Sequence, residues 1–179
     1  MMWSVKKLQC SDLTFTLGSA LFFNLLNAMF ISRSWSIIAP AHLHDFLFAA
    51  SVPLVLFCGW VIIFSVISLP FIRKPLLILL TLGCAGATYF MHTYGAVIDK
   101  NMMVNVFETN SQEATALVTP QMLLWIAGIG LIPSIALLFI RVRSGKWWYA
   151  LLMRFAALLG ALMVIILVAS VFYKDYASL

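Results

Sequence analysis

Five stretches of the chain run without an Asp, Glu, Lys or Arg for about the length a helix needs to cross a bilayer. They are Leu13–Ser32, Phe46–Ile72, Pro75–Ile98, Ala114–Ile140 and Phe155–Tyr173. A helix requires about 20 largely apolar residues to traverse the hydrocarbon core. A central Asp, Lys or Arg would cost about 2.5–3.5 kcal/mol on insertion. The pattern predicts an all-α membrane protein with five transmembrane helices, at about 13–32, 46–70, 75–92, 120–140 and 150–173. Barrel strands are excluded, because they are about 10 residues long with alternating polarity. The first span keeps its place in the mature chain: Lys6 and Lys7 imitate the start of a signal peptide, but the apolar run is too long and no small-residue cleavage site follows it.

Composition agrees with the pattern. The chain is 64% hydrophobic and 9% charged, with a mean hydropathy of +1.05, more apolar surface than a soluble domain can hide. Cys10, Cys58 and Cys84 give an odd count with no two together in a loop, so they read as soft apolar packing and not as a disulfide framework.

Charge adds an orientation. With the N-terminus inside, Lys6, Lys7, Arg73, Lys74, Arg141, Arg143, Lys146 and Arg154 fall on one side and Arg33, Lys100 and Lys174 on the other. Short cytoplasmic loops carry the Lys and Arg excess, so the N-terminus is expected in the cytoplasm and the C-terminus outside. The net charge of +5 is thus a topology signal, with membrane lipids as partners. Nucleic acid is not an expected partner, because the cations are spread over separate short loops. The turns at Arg73–Lys74 and Arg141–Lys146 predict tight hairpins. Thr119-Pro120 reads as a cap followed by proline at the first helical position, and Pro75 plays the same part for the third span. Trp147, Trp148 and Tyr149 are expected in an inner aromatic belt, and Phe172, Tyr173 and Tyr176 in an outer one. Gly83, Gly86 and Ala87, and Ala156, Gly160 and Ala161, are expected where helix backbones approach closely. Asn24 and Asn27 share a face and read as interhelical hydrogen-bonding groups, or less simply as a substrate contact.

Outside the spans, the stretch from Asp99 to Leu117 has its own pattern. Met103, Val106, Phe107, Ala114 and Leu117 form one apolar stripe of an amphipathic helix, expected at about 99–117 on the outer, periplasmic surface. Asn105, Thr109 and Glu113 recur every four residues on another face, at steps of about 6 Å. A carboxylate can receive a primary ammonium, and an amide and a hydroxyl can donate to phosphate oxygens. The row suits a zwitterionic amino-phosphate headgroup; it would equally serve as the watered face of a surface helix.

The run YFMHTYGAVIDKNMMVNVFETNSQEATALVTPQM, Tyr89 to Met122, resembles the signature region of the phosphoethanolamine–lipid A transferases, which include the mobile colistin resistance enzymes. The matching pattern is Thr93-Tyr94-Gly95, Ile98-Asp99, Met102 to Asn105, then Thr109 and Glu113; FYKDYASL, Phe172 to Leu179, ends the last span in the family's way. The resemblance implies a five-helix membrane domain joined to a periplasmic catalytic domain with a zinc site and a threonine nucleophile. It implies transfer of phosphoethanolamine from phosphatidylethanolamine to lipid A in the bacterial inner membrane, which confers polymyxin resistance. It assigns Asn105, Thr109 and Glu113 to substrate binding. No catalytic residue and no metal ligand set is expected within this chain, so the expectation is a membrane domain that is inactive alone, with zinc in a catalytic domain beyond Leu179. His42-x-His44-Asp45 reads as a structural or interfacial group. The competing readings are a small multispan transporter, disfavoured by the lack of mid-span ionisable residues, and a structural membrane subunit.

Overall fold

The computed structural model describes residues 8–39, 42–67, 72–95, 118–143 and 147–178. They form two compact units, one through Arg73 and from Phe139 onward, the other Lys74 to Leu138.

In the first unit a short strand β1 (Leu8–Ser11) leads into α1 (Asp12–Leu26). Ser11 caps the helix, its hydroxyl accepting from the Thr14 N–H at 3.2 Å, and Asp12 places its charge at the positive end of the helix dipole. The helix stops at Asn27. The Asn27 side-chain amide donates to Phe23 O at 2.8 Å, and the chain resumes in α2 (Ala28–Ile38) at a bend of 58°. The first apolar run is therefore broken where a continuous helix was expected. The cause is local: Asn27 satisfies a carbonyl of its own helix and does not reach across to another. Ala39, with φ 42 and ψ 63, ends α2 in the left-handed conformation.

Helix α3 (Leu43–Ile67) has 25 residues, about 37 Å at 1.5 Å per residue, enough to cross a bilayer. It packs against α1 and against α7 (Trp147–Val171). The α1–α3 contact centres on Phe23, 1% exposed, whose ring lies 5.0 Å from both Trp60 and Phe64. The α3–α7 contact is a cluster of Phe48, Val168 and Phe172, with Ile38, Val55 and Tyr176 against it. Helix α8 (Tyr173–Ser178) follows after a break at Phe172. Phe172 and Tyr176 were expected in an outer aromatic belt. They turn inward instead, because Phe48 on α3 offers them a partner, and Tyr173 alone of the three is strongly exposed. Leu152, Phe155, Met163, Ile166 and Leu167 on α7 are exposed, a surface suited to lipid and not to water.

Between the second unit and α7 lies β2 (Ile140–Arg143), where the sequence predicts only a tight turn. It pairs in parallel with β1, Leu8 opposite Ile140 and Ser11 opposite Arg143. Strand β1 runs directly into α1, and the first turn of α1 meets α7 at Arg154, in the early part of that helix.

The second unit contains α4 (Arg73–Tyr94) from Lys74 onward, α5 (Pro120–Trp125), a π-helical turn (Ile126–Leu131) and α6 (Ile132–Phe139). Thr119 and Pro120 open α5 as the sequence predicts: Thr119 Oγ1 accepts from Met122 N at 3.2 Å. Pro75 stands at the third residue of α4, still within the turn that needs no N–H. The π turn adds a residue to its turn and Gly130 is buried against α4, 3.0 Å separating the place of a Cβ from Ala85 Cβ. Close backbone approach is thus built on Gly130 and Ala85. At Gly83, Gly86 and Gly160, where it was expected, a Cβ would meet open space. Thr81 and Ser134, buried, donate to the carbonyls of Leu77 and Gly130 at 2.7 Å each, so neither hydroxyl is left unpaired in an apolar setting.

Among the described residues four helices are long and apolar enough to cross a membrane, and the bent α1–α2 pair passes the same test when its halves are taken together.

Candidate functional site

Asn105, Thr109 and Glu113, and the whole expected surface helix at 99–117, lie outside the described residues. What the structure describes is how the chain leaves for that segment and how it returns. Helix α4 ends at Tyr94, and Gly95, with φ 64, turns the chain away in the left-handed conformation that glycine adopts without strain. The chain is described again at Val118 and re-enters a helix at Thr119–Pro120.

Exit and return are tied together within the second unit. The Tyr89 hydroxyl and the Thr119 hydroxyl are 2.8 Å apart. Trp125 Nε1 donates to Thr88 Oγ1 at 3.4 Å, and the Thr88 hydroxyl in turn donates to Cys84 O at 2.8 Å. The Trp125 ring lies 5.1 Å from His92 and 6.3 Å from Tyr89. Tyr89 is buried and His92 is exposed, so the cluster has a fixed base and a free edge. In the sequence Tyr89 stands out only as part of a motif, and Trp125 and Thr88 carry no signal of their own. The signal that finds them is that Thr88, Tyr89 and His92 sit within one helical turn of each other immediately before the segment.

A second cluster sits in the first unit. Asp12, on the first turn of α1, accepts from Arg73 Nη1 at 2.7 Å through Oδ1. It also accepts from Arg154 Nε at 2.6 Å through Oδ2 and from Arg154 Nη2 at 2.9 Å through Oδ1. Side-chain exposure is 8% for Asp12 and for Arg73 and 20% for Arg154. The Arg73 guanidinium also stands over the Phe15 ring at 5.4 Å. Arg73 and Arg154 enter the sequence reading only as topology signals; here they hold three helices to one carboxylate. Asp12 is the acid that the charge pattern leaves on the Lys- and Arg-rich side, which is the signal that marks it.

His44 lies between two carboxylates, Nδ1 3.7 Å from Asp45 and Nε2 3.7 Å from Asp175, and Asp45 accepts from the His42 N–H at 3.2 Å. Among the described residues no three of His, Cys, Asp and Glu are grouped so as to hold a metal ion.

The family profile described as phosphoethanolamine transferase EptA/EptB matches residues 56–179. Phosphoethanolamine transferase EptA of Escherichia coli K12 is 34% identical over 177 residues, which are 98% of this chain and 32% of that protein. Phosphatidylethanolamine transferase Mcr-1 of Escherichia coli is 32% identical over 132 residues, 73% of this chain and 24% of that protein. Among solved structures, the integral membrane protein lipooligosaccharide phosphoethanolamine transferase A from Neisseria meningitidis superposes with a TM-score of 0.82 at 28% identity, covering 96% of this chain and 32% of the other. The chain thus spans about a third or less of the length of the curated relatives it matches.

Proposed function

Because the chain belongs to the phosphoethanolamine transferase EptA/EptB family, we propose that it forms the membrane part of an enzyme that moves phosphoethanolamine from phosphatidylethanolamine to lipid A. In this reading it anchors the enzyme in the bacterial inner membrane, N-terminus in the cytoplasm and C-terminus in the periplasm, and presents the donor headgroup. Glu113 receives the ethanolamine ammonium, and Asn105 and Thr109 donate to the phosphate oxygens. The transfer itself, with its zinc, belongs to a catalytic domain on the periplasmic side. Holding the donor beside that domain raises its effective concentration there. Lipid A modified in this way binds cationic polymyxins less well, which links the protein to colistin resistance.

The observation that carries the reading is the Tyr89–Thr119 contact. It supports the reading because it joins α4, which ends just before the motif residues, to Thr119 at the start of α5, which follows them. The transporter reading finds no support in the relatives, which are transferases.

Glu113→Ala in the full-length enzyme tests the site. Loss of a hydrogen bond to a charged group is worth about 1.5–3 kcal/mol, so lipid A modification, read by mass spectrometry, is expected to fall about tenfold or more with membrane insertion intact. Modification at the wild-type level would remove Glu113 from donor binding. Residues 1–179 expressed alone are expected to transfer nothing; turnover by them would place the chemistry inside the membrane part.

A further inference from the structure

The Asp12 cluster is unbalanced. Two guanidinium groups share one carboxylate, so the group keeps a formal charge of +1 at a place where the side chains of Asp12 and Arg73 are each 8% exposed. Asp12 is well used: its two oxygens already accept three bonds. The guanidinium donors are not. Arg73 Nε is buried without an acceptor, and Arg154 makes its two bonds through Nε and Nη2. An uncompensated buried charge is costly, and the remedy is a second anion. Arg154, at 20%, is the member with an exposed edge.

The position of the cluster says where that anion comes from. Arg154 follows Trp148 and Tyr149 on α7 by about one and a half turns, or roughly 8–9 Å. Those two rings are 71% and 60% exposed, as aromatic residues at a membrane interface are. The exposed edge of Arg154 therefore lies just inside an aromatic belt, at the depth where headgroup meets acyl chain. A phosphodiester with acyl chains reaches that depth from the lipid side. The cluster's own surplus positive charge favours a headgroup of net negative charge over a zwitterionic one.

We propose that the Arg73–Asp12–Arg154 cluster is a binding site for the phosphodiester of an anionic phospholipid in the leaflet at the end of the helices where α1 and α7 begin. Asp12 cancels one of the two positive charges and sets the spacing of the guanidinium groups; the lipid phosphate supplies the second negative charge, and Arg154 is its point of contact. This site shares no residue with the proposed ethanolamine donor site.

The test uses the full-length protein in nanodiscs of phosphatidylcholine with a minor fraction of phosphatidylglycerol, and counts co-purifying lipid by native mass spectrometry. Arg154→Gln is expected to lower phosphatidylglycerol retention about fivefold relative to phosphatidylcholine, the size expected for one basic side chain near an anionic surface. Asp12→Asn, which leaves both arginines and removes the competing carboxylate, is expected to raise it. A cluster that only staples helices predicts the opposite for Asp12→Asn, so a fall in that variant overturns the proposal. Should Asp12→Asn not yield a monodisperse protein, Arg154→Lys decides: it keeps the charge while breaking the two-bond contact, and retention close to wild type is expected. A loss in Arg154→Lys as deep as in Arg154→Gln overturns the proposal. Displacement of the lipid by added inorganic phosphate would give the site to a soluble anion and overturns it as well.

Discussion

Gly130 shows what a single missing side chain does in this molecule. A Cβ there would stand 3.0 Å from Ala85 Cβ and 3.1 Å from Leu82 Cδ2; Leu82 can turn its side chain, but Ala85 Cβ cannot withdraw without moving its helix. Gly130→Val is expected to cost about 1–3 kcal/mol, the usual range for overpacking, seen as a lower midpoint of thermal unfolding in detergent. Gly83→Ala, where a Cβ meets nothing within 4 Å, is expected to stay within about 0.5 kcal/mol of wild type. Equal midpoints for both variants would mean that the Gly130 contact does not hold the second unit together. Sequence cannot separate these two glycines, because both sit in apolar runs at helical spacing. The difference is made by the π turn, whose extra residue decides which way Gly130 faces.

Elements were legible to different depths. The apolar runs mark where the long helices fall, and the Thr119–Pro120 signal marks the start of α5, because hydropathy and capping are local properties. The bend at Asn27 and the parallel β1–β2 pair were not legible. The first depends on one side chain choosing its own helix over a neighbour, and the second joins residues far apart in the chain. The donor-site residues stand on the motif alone. The docking of α8 belongs to the same class of long-range features. Tyr176 places its hydroxyl 2.8 Å from Ser51 Oγ and its ring 4.9 Å from Phe48, edge to face, while Asp175 approaches His44. Tyr176→Phe keeps the ring and loses the bond, worth about 1 kcal/mol. Amide exchange in residues 173–178 is then expected to quicken about fivefold. Unchanged exchange would show that the aromatic contact alone fixes α8.

For the whole molecule the charge asymmetry predicts one orientation, and the reporter experiment is direct. Alkaline phosphatase fused after α8 is expected to be active, and fused between α3 and α4 to be inactive. The reverse pattern would turn the protein over and move the proposed donor site to the wrong side of the membrane for lipid A. Both units would keep their internal contacts either way, so folding alone does not decide orientation; the distribution of Lys and Arg does.

The β1–β2 pair settles a question of parity. Two hydrogen-bonded strands lie on the same side of the bilayer, so the chain between them crosses an even number of times. Among the described residues α3, α4 and the run from α5 through α6 are each long and apolar enough to cross, and the bent α1–α2 pair is so when its halves are taken as one. Crossing by all four satisfies the even count that the strand pair requires.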